Sequence, residues 1–429
     1  LAAASLAFVP VINLVLARVF WSGLPEASTL TKQSLIALTI LAAAATSMQG
    51  KHLSLGAVPA PGSRLEKLAG VARTAALTTI DTMMLIASLS LLLIGFEPDD
   101  RVFGIPIAVL ASPMAIGFVF MVCSDFLQGK GRERIAAAVG LLAGLLLSAG
   151  AISNILSVFN LYPESVSTLA GWAGTFTGLA LWPLIIALVV LAFVGLPLYA
   201  VISGTAALLY LASGSSIELI PSEAYSLFRN DSMPAIPLFT LAGFILSESG
   251  AGKRLVDLFR EWFGWMPGGE AFAAVLVCAF FTTFTGANGV AILALGGILA
   301  TVLIESGSYD EDFTHGFLTA SSSVGLLFPP SMAVIVYAVN ATFIVQGESA
   351  FSIGDMFLGG LLPGVMIVLA MAAMGTARSV KKIKLNDSKR RRFSLASAGR
   401  ALWKSLPEIA IPLLILVLYL TGFASLTEI

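Results

Sequence analysis

The residues with the most chemical content sit where an apolar sequence has least reason to hold them. Thr283, Thr285, Gly286, Asn288 and Gly289 fall together in TFTGANGVAILALGG (283–297), at the centre of an apolar block running from about Ala271 to Ile304. A second group, Ser321, Ser322, Ser323 and Gly325, precedes Pro329-Pro330 in TASSSVGLLFPPSMAVIVY (319–337). In hydrocarbon an unpaired backbone N–H or carbonyl is costly, so non-helical backbone survives there only where protein or a water-filled cavity covers it. Half-helix N-termini present free N–H groups and partial positive charge to an anion, while unwound carbonyls and hydroxyls replace the water around a small hard cation. The candidate oxygens are the side chains of Thr285, Asn288, Ser321, Ser322 and Ser323 and the carbonyls of Gly286, Ala287, Gly325 and Pro329. Sodium suits this donor set better than a transition metal. The chemistry they point to is cation-coupled transport of an anionic solute, not catalysis.

The elements that must position these residues are membrane-spanning helices. Of the 429 residues 57% are hydrophobic and only 11% charged, and mean hydropathy is +0.93, which excludes a soluble globular chain. Apolar segments of roughly 17–25 residues, the length a helix needs to cross a bilayer, recur along the chain with charge confined to the connections. A net charge of −1 leaves no broad basic surface for nucleic acid. Cys123 and Cys278 lie inside apolar segments and read as small core residues, and neither His52 nor His315 has metal-ligand company. No serine–histidine pair, paired aspartates or H-E-x-x-H arrangement suggests an enzyme.

Basic loops mark cytoplasmic faces, so the crossings can be checked by parity. Segments at about 3–20 and 33–48 lead to Lys51, His52, Arg64, Lys67 and Arg73; segments at about 74–95 and 102–126 pass the acidic turn Glu97, Asp99, Asp100 and return to Lys130, Arg132 and Arg134. Four further segments, at about 135–158, 175–195, 198–213 and 234–248, end at Lys253, Arg254 and Arg260. The strongest cluster, from Arg378 to Lys404 and including KRRRF (389–393), follows three apolar blocks at about 271–304, 315–345 and 355–377. Three single crossings would put the two basic regions on opposite sides, so one block must turn back. The first block, 34 residues, would make one helix of about 50 Å, too long for one span and short for two. Its Gly286–Gly289 centre tolerates a tight reversal. The block reads as a re-entrant hairpin entering from the cytoplasmic side, and Pro329-Pro330 breaks the next helix. Taken singly, the glycines have a packing explanation and the prolines a structural-kink explanation.

Three weaker features complete the reading. Asp81, within an apolar segment, is a proton-site candidate, but its distance of about two turns from Arg73 favours an interfacial salt bridge. GKRLVDLFREWFGW (252–265) reads as a surface-lying amphipathic helix, and Glu223, Tyr225, Phe228 and Arg229 suggest another on the opposite side. KRRRF is a topology anchor drawn to anionic lipid of the bilayer.

At these residues the chain resembles the tripartite ATP-independent periplasmic (TRAP) transporters. FTGANGVAILALGG and TASSSVGLLFPPS are similar to the two signature stretches in the first half of the large membrane subunit, and DSMPAIPLFTLAGFILSESG (231–250), MPGG (266–269), LPG (362–364) and TGFASLTEI (421–429) extend the likeness over about 179–429. WSGLP (21–25), QGKHLSL (49–55) and GIPIAVLASPMAIGF (104–118) make residues 1–134 resemble the small membrane subunit, a four-helix region. Residues 135–174 then form a connecting helix and loop, 175–270 scaffold helices with surface arms, 271–345 the transport core, and 346–429 further spans with the basic loop.

The resemblance implies an all-α polytopic, elevator-type transporter with inverted repeats in the bacterial inner membrane, driven by sodium and fed by a periplasmic substrate-binding protein. It implies an organic anion, a carboxylate or sialic-acid-like solute, as substrate. It maps the hairpin tip to Thr285, Gly286, Ala287, Asn288 and Gly289 and the discontinuous helix to Ser321, Ser322, Ser323, Gly325, Pro329 and Pro330. Of these, Gly286, Asn288, Ser321 and Gly325 are the sodium-site candidates. Two departures stand out. Only the first of the family's two repeats is present, so the remaining C-terminal half of the large subunit is expected as a continuation beyond Ile429. Ala287-Asn288 stands where the family more often has Ala-Ser, which keeps an oxygen but changes its geometry. A proton-coupled or antiporting carrier without a binding protein, and a non-transporting membrane scaffold, are the rival readings.

Overall fold

The computed structural model describes residues 2–19, 23–24, 26–56, 63–97, 99–286, 288–344, 352–383 and 393–428. Among these the chain is almost wholly helical, and five helices are long and apolar enough to cross a membrane, or up to nine spans if each sharply bent pair counts as one. It is an all-α polytopic membrane protein. Ala287, Trp21, Pro25 and the stretch 384–392, which holds Lys384, Lys389 and Arg390 to Arg392, lie outside the described residues.

The chain divides into two compact units. Unit 1 comprises Leu1–Val9 and Gly23–Arg229, and unit 2 comprises Pro10–Ser22 and Asn230–Ile429. After α1 (Ala2–Val19), which runs across that division, unit 1 holds α2 (Ala27–Met48), α3 (Arg64–Ile94), strands β1 (Arg101–Val102) and β2 (Ile105–Pro106), α4 (Ile107–Ala111) and α5 (Pro113–Gln128). It continues with α6 (Arg132–Leu147), α7 (Ala149–Val158), α8 (Glu164–Phe193), α9 (Leu198–Ala212) and α10 (Leu219–Phe228). Its centre is α3, capped by Ser63, whose hydroxyl accepts from the Glu66 N–H at 3.0 Å. Gly140 and Gly144 of α6 let the two helices close: a Cβ at Gly140 would stand 3.1 Å from Thr78 Cβ, and one at Gly144 would stand 2.7 Å from the Thr79 carbonyl. Ile80, Met83 and Met84 of α3 pack with Leu188 of α8 and Ala200, Ala207 and Leu208 of α9.

Unit 2 holds α11 (Ala235–Glu248), α12 (Ala251–Phe263), α13 (Gly269–Thr285), α14 (Asn288–Glu305), α15 (Glu311–Ser321), a 3-10 turn (Val324–Leu327), α16 (Met332–Ile344), α17 (Ile353–Ile383), α18 (Leu395–Lys404) and α19 (Leu406–Leu420). The amphipathic α12 buries Leu255, Val256 and Leu258 against α13 and α14. Its Arg254 is ion-paired to the buried Glu408 of α19, and the Trp262 indole donates to the Ala398 carbonyl of α18 at 3.3 Å. The surface helix expected over 252–265 is therefore α12, and the one expected around Tyr225 is α10.

Several expectations need correction. The segment read as one span over 102–126 is a candidate span at Ile107–Gln128, and its first residues form instead a β-hairpin in which Phe103 (φ 51) and Gly104 (φ 77) make the tight turn. The span over 135–158 is two helices bent by 63° at Ser148. Residues 164–174 are not loop: they are the first turns of the 30-residue α8. Asp81 has no salt bridge with Arg73 among the described residues. Eight helical positions put the two about 12 Å apart along the axis, and Asp81 accepts instead from the Tyr199 hydroxyl at 3.1 Å.

Candidate functional site: the hairpin tip and the broken helix

α13 ends because Gly286 takes a left-handed conformation (φ 62), with its N–H closing the helix on the Thr282 carbonyl at 2.8 Å. α14 starts again at Asn288. Thirteen of the seventeen residues of α13 are buried, so the tip is reached through a helix enclosed by protein. Ala291, Leu295, Leu299 and Leu303 of α14 share its core with Val275 and Cys278. At about 1.5 Å per residue each helix is some 26 Å long, short of the roughly 30 Å of hydrocarbon. The 271–304 block is thus two helices joined at the residues with the most polar character.

The broken helix interlocks with that tip. α15 ends at Ser321, and after the 3-10 turn Phe328 becomes extended (ψ 139), so that the chain runs through Pro329 and Pro330 before α16 begins. The two helical parts differ in direction by 47°. Gly325 is pressed against α13: a Cβ there would lie 2.8 Å from both Thr283 N and Thr282 Cβ. The Thr283 hydroxyl lies 2.8 Å from the Ala279 carbonyl in its own helix and 3.1 Å from the Gly325 carbonyl across the contact, so one donor serves two acceptors. Met332, the first residue of α16, covers Gly286, where a Cβ would stand 2.8 Å from Met332 Cβ. Its sulfur accepts from the Thr240 hydroxyl of α11 at 3.1 Å, and Gly243 of α11 packs against Thr285.

The candidate oxygens fall into two classes. Ser321, Ser322 and Ser323 each donate to a carbonyl within their own helix at 2.7 Å, which leaves their lone pairs available. Ser321 and Ser322 are wholly buried, whereas Ser323 is exposed. Thr285 is also buried. By contrast Asn288 Oδ1 is buried with no hydrogen-bond partner among the described residues, and so is Thr282 Oγ1, in the last turn of α13. Orphaned oxygens of this kind are costly unless something outside the chain satisfies them. Gly289 has open space around it. Pro329 and Pro330 are buried at the break. The structure therefore joins the hairpin tip to the broken helix at two points, Thr283 to Gly325 and Gly286 to Met332. Thr283 stood in the polar group that the sequence singled out, though not among its candidate oxygens; Thr282, Gly243 and Met332 were not singled out. Thr282 and Thr283 carried a signal, since both precede the polar tip by less than one turn; Gly243 and Met332 carried none.

The hairpin tip and the broken helix lie inside the part of the chain that matches a known family. Residues 184–429 match the family model described as tripartite ATP-independent periplasmic transporter, DctM component. The isethionate TRAP transporter permease protein DctMQ of Oleidesulfovibrio alaskensis is 27% identical over 324 residues, which are 75% of this chain and 46% of that protein. The C4-dicarboxylate TRAP transporter large permease protein DctM of Pseudomonas aeruginosa is 30% identical over 216 residues, 50% of this chain and 47% of that protein. The sialic acid TRAP transporter permease protein SiaT of Haemophilus influenzae is 31% identical over 202 residues, 46% of this chain and 30% of that protein. This chain spans less than half the length of each.

Proposed function

We propose that this chain, which belongs to the tripartite ATP-independent periplasmic transporter family through its DctM component, is part of a sodium-coupled permease for an organic anion. Its relatives are named as transporter permeases rather than enzymes. In this reading a periplasmic binding protein delivers the anion, the protein sits in the bacterial inner membrane, and the hairpin and broken helix move as one body in an elevator motion. The remaining half of the large subunit supplies the second hairpin. Residues 1–134 act as the small subunit in the same chain; what supports this is that the match to DctMQ covers 75% of the chain and so reaches well before residue 184.

The observation that supports the sodium reading is two buried oxygens with no partner among the described residues, Asn288 Oδ1 at the hairpin tip and Thr282 Oγ1 on the turn of α13 that packs against Gly325. Neutral oxygens of this type fit a monovalent hard cation, and the N-terminus of α14 offers N–H groups to a carboxylate. Gly286, Asn288, Ser321 and Gly325 are the ligands assigned to the cation, and Thr285, Ala287, Gly289, Ser322, Ser323, Pro329 and Pro330 complete the wall. The names of the relatives place isethionate, C4-dicarboxylates and sialic acid among the family's solutes, all of them anions. The test is uptake of radiolabelled organic acids into proteoliposomes holding the full-length permease, with and without its binding protein and a sodium gradient. Sodium-dependent uptake lost in Asn288→Ala and Ser321→Ala supports the reading; uptake indifferent to sodium and to both substitutions overturns it.

A further inference from the structure

Three oxygen-bearing side chains from three helices of unit 1 meet in its interior. Asp81 of α3 is fully buried and Asp125 of α5 is 6% exposed. The Tyr199 hydroxyl of α9 stands 3.1 Å from both carboxylate oxygens of Asp81 and donates to them. Asp125 is hydrogen-bonded to Thr78, one turn before Asp81 on α3, which brings the second acid near the first. Neither acid is ion-paired among the described residues, and Asp125 Oδ2 is buried with no hydrogen-bond partner.

Asp125 is also on the wall of a cavity of about 270 Å³, shared with His52, Arg73, Gln128 and Glu133. That volume holds several waters. The wall is built from the basic connections that follow α2 and α5, so by the positive-inside rule the cavity faces the cytoplasm. The ring of His52 packs on Tyr199 at 4.7 Å, and burial lowers its pKa. Arg73 lies about two turns from Asp81 on α3 and bonds to neither acid. Glu133 comes from α6, and its carboxylate accepts from the Lys130 N–H at 3.1 Å, turned to the loop. Arg134 donates to the Gly129 carbonyl at 3.0 Å. Glu218, at the N-cap of α10, is taken up by Ser90, Asn154 and Ser216. Among the described residues no cation is ion-paired to either carboxylate, and two adjacent buried acids without a paired cation do not both stay ionised.

We propose that Asp81 and Asp125 form a two-carboxyl site that takes up and releases one proton through the cavity behind Asp125, with Tyr199 as the fixed donor that keeps Asp81 the anionic partner. The proton resides on Asp125, where an O–H directed into the cavity satisfies the orphaned oxygen. The site is separate from the hairpin tip and broken helix, and its test does not depend on how those work.

The measurement is infrared difference spectroscopy of the purified protein in lipid nanodiscs, in sodium-free buffer from mildly acidic to alkaline pH, in water and in deuterium oxide. The expected result is a protonated-carboxyl C=O band that persists at neutral pH, disappears in alkaline buffer as a single titration and shifts on deuteration. It is lost in Asp125→Asn, displaced in Tyr199→Phe and unchanged in Glu133→Gln. The wild-type band and Tyr199→Phe, which keeps both carboxyls, decide the matter if Asp125→Asn does not fold. Absence of the band at neutral pH, its survival in a folded Asp125→Asn, or its displacement by sodium at constant pH overturns the proposal; the last outcome makes the site one for a metal cation.

Discussion

In unit 1 α3 runs for 31 residues without interruption and carries Asp81 in its middle; in unit 2 the helices that bear the candidate site stop, turn and start again. Both regions bury polarity at depth, by opposite means. The first keeps the backbone hydrogen-bonded and admits acid side chains, which answer to one another and to Tyr199. The second admits no acid at its breaks and instead frees carbonyls and hydroxyls, which answer to Thr283 and to whatever satisfies Asn288 and Thr282. The buried acid of unit 2, Glu408, lies elsewhere and has Arg254 as its partner. A side-chain site can change charge without moving the chain. A backbone site presents several oxygens without net charge, at the expense of helical continuity, and depends on close backbone contact to hold its shape.

That contrast can be broken first at the closest contact. Gly325→Val forces a branched side chain into the backbone of α13 and is expected to cost about 3 kcal/mol and to abolish uptake, read by thermal melting in detergent together with transport. A near-normal melting temperature would show that the two breaks do not lean on each other. Next comes Arg254→Met, which leaves Glu408 buried and unpaired; because the Arg254 side chain is 41% exposed, the loss is expected to be about 2 kcal/mol, recovered in the Arg254→Met, Glu408→Met double variant. Failure of the double variant to recover would remove the ion pair as the cause.

A smaller effect sharpens the link between hairpin and broken helix. Thr283→Val removes the bridging hydroxyl at nearly constant shape and should cost about 1 kcal/mol, while raising the sodium concentration needed for half-maximal uptake. An unchanged sodium dependence would confine the bridge to a structural role. The smallest change is Gly289→Ala, in open space near the start of α14, where stability should stay level or rise by up to about 1 kcal/mol. Lost uptake with intact stability would then mark Gly289 as a contact of the transported solute.

Most of the helices were legible because hydropathy and loop charge are local signals, and so was the break between α13 and α14, because Gly286 and Asn288 interrupt a block of unsuitable length. β1 and β2 were not. Their turn is Phe-Gly rather than Asn-Gly or Asp-Gly, and an aromatic residue with positive φ conceals a reversal inside an apolar run. The partner of Asp81 was equally hidden, since Tyr199 lies 118 residues away and only the packing of α9 on α3 brings it near. The same holds for Glu408 and Arg254, 154 residues apart. At the candidate site the polar residues were visible in sequence, but the contacts that organise them were not. Gly325 and Thr283 meet across 42 residues, and Met332 has no chemistry that would single it out.

α17 has 31 residues and so measures about 46 Å, against roughly 30 Å of hydrocarbon. The surplus is absorbed by leaning, by thickening the lipid around it, or by carrying Arg378 and Lys381 out into water. Gly360 and Gly364 fasten this helix to the Leu327 carbonyl and the Phe328 ring, just before the paired prolines. Any lean of α17 is therefore shared with the break, and the thickness of the surrounding lipid enters the geometry of Ser321 to Pro330 as directly as a change of sequence would.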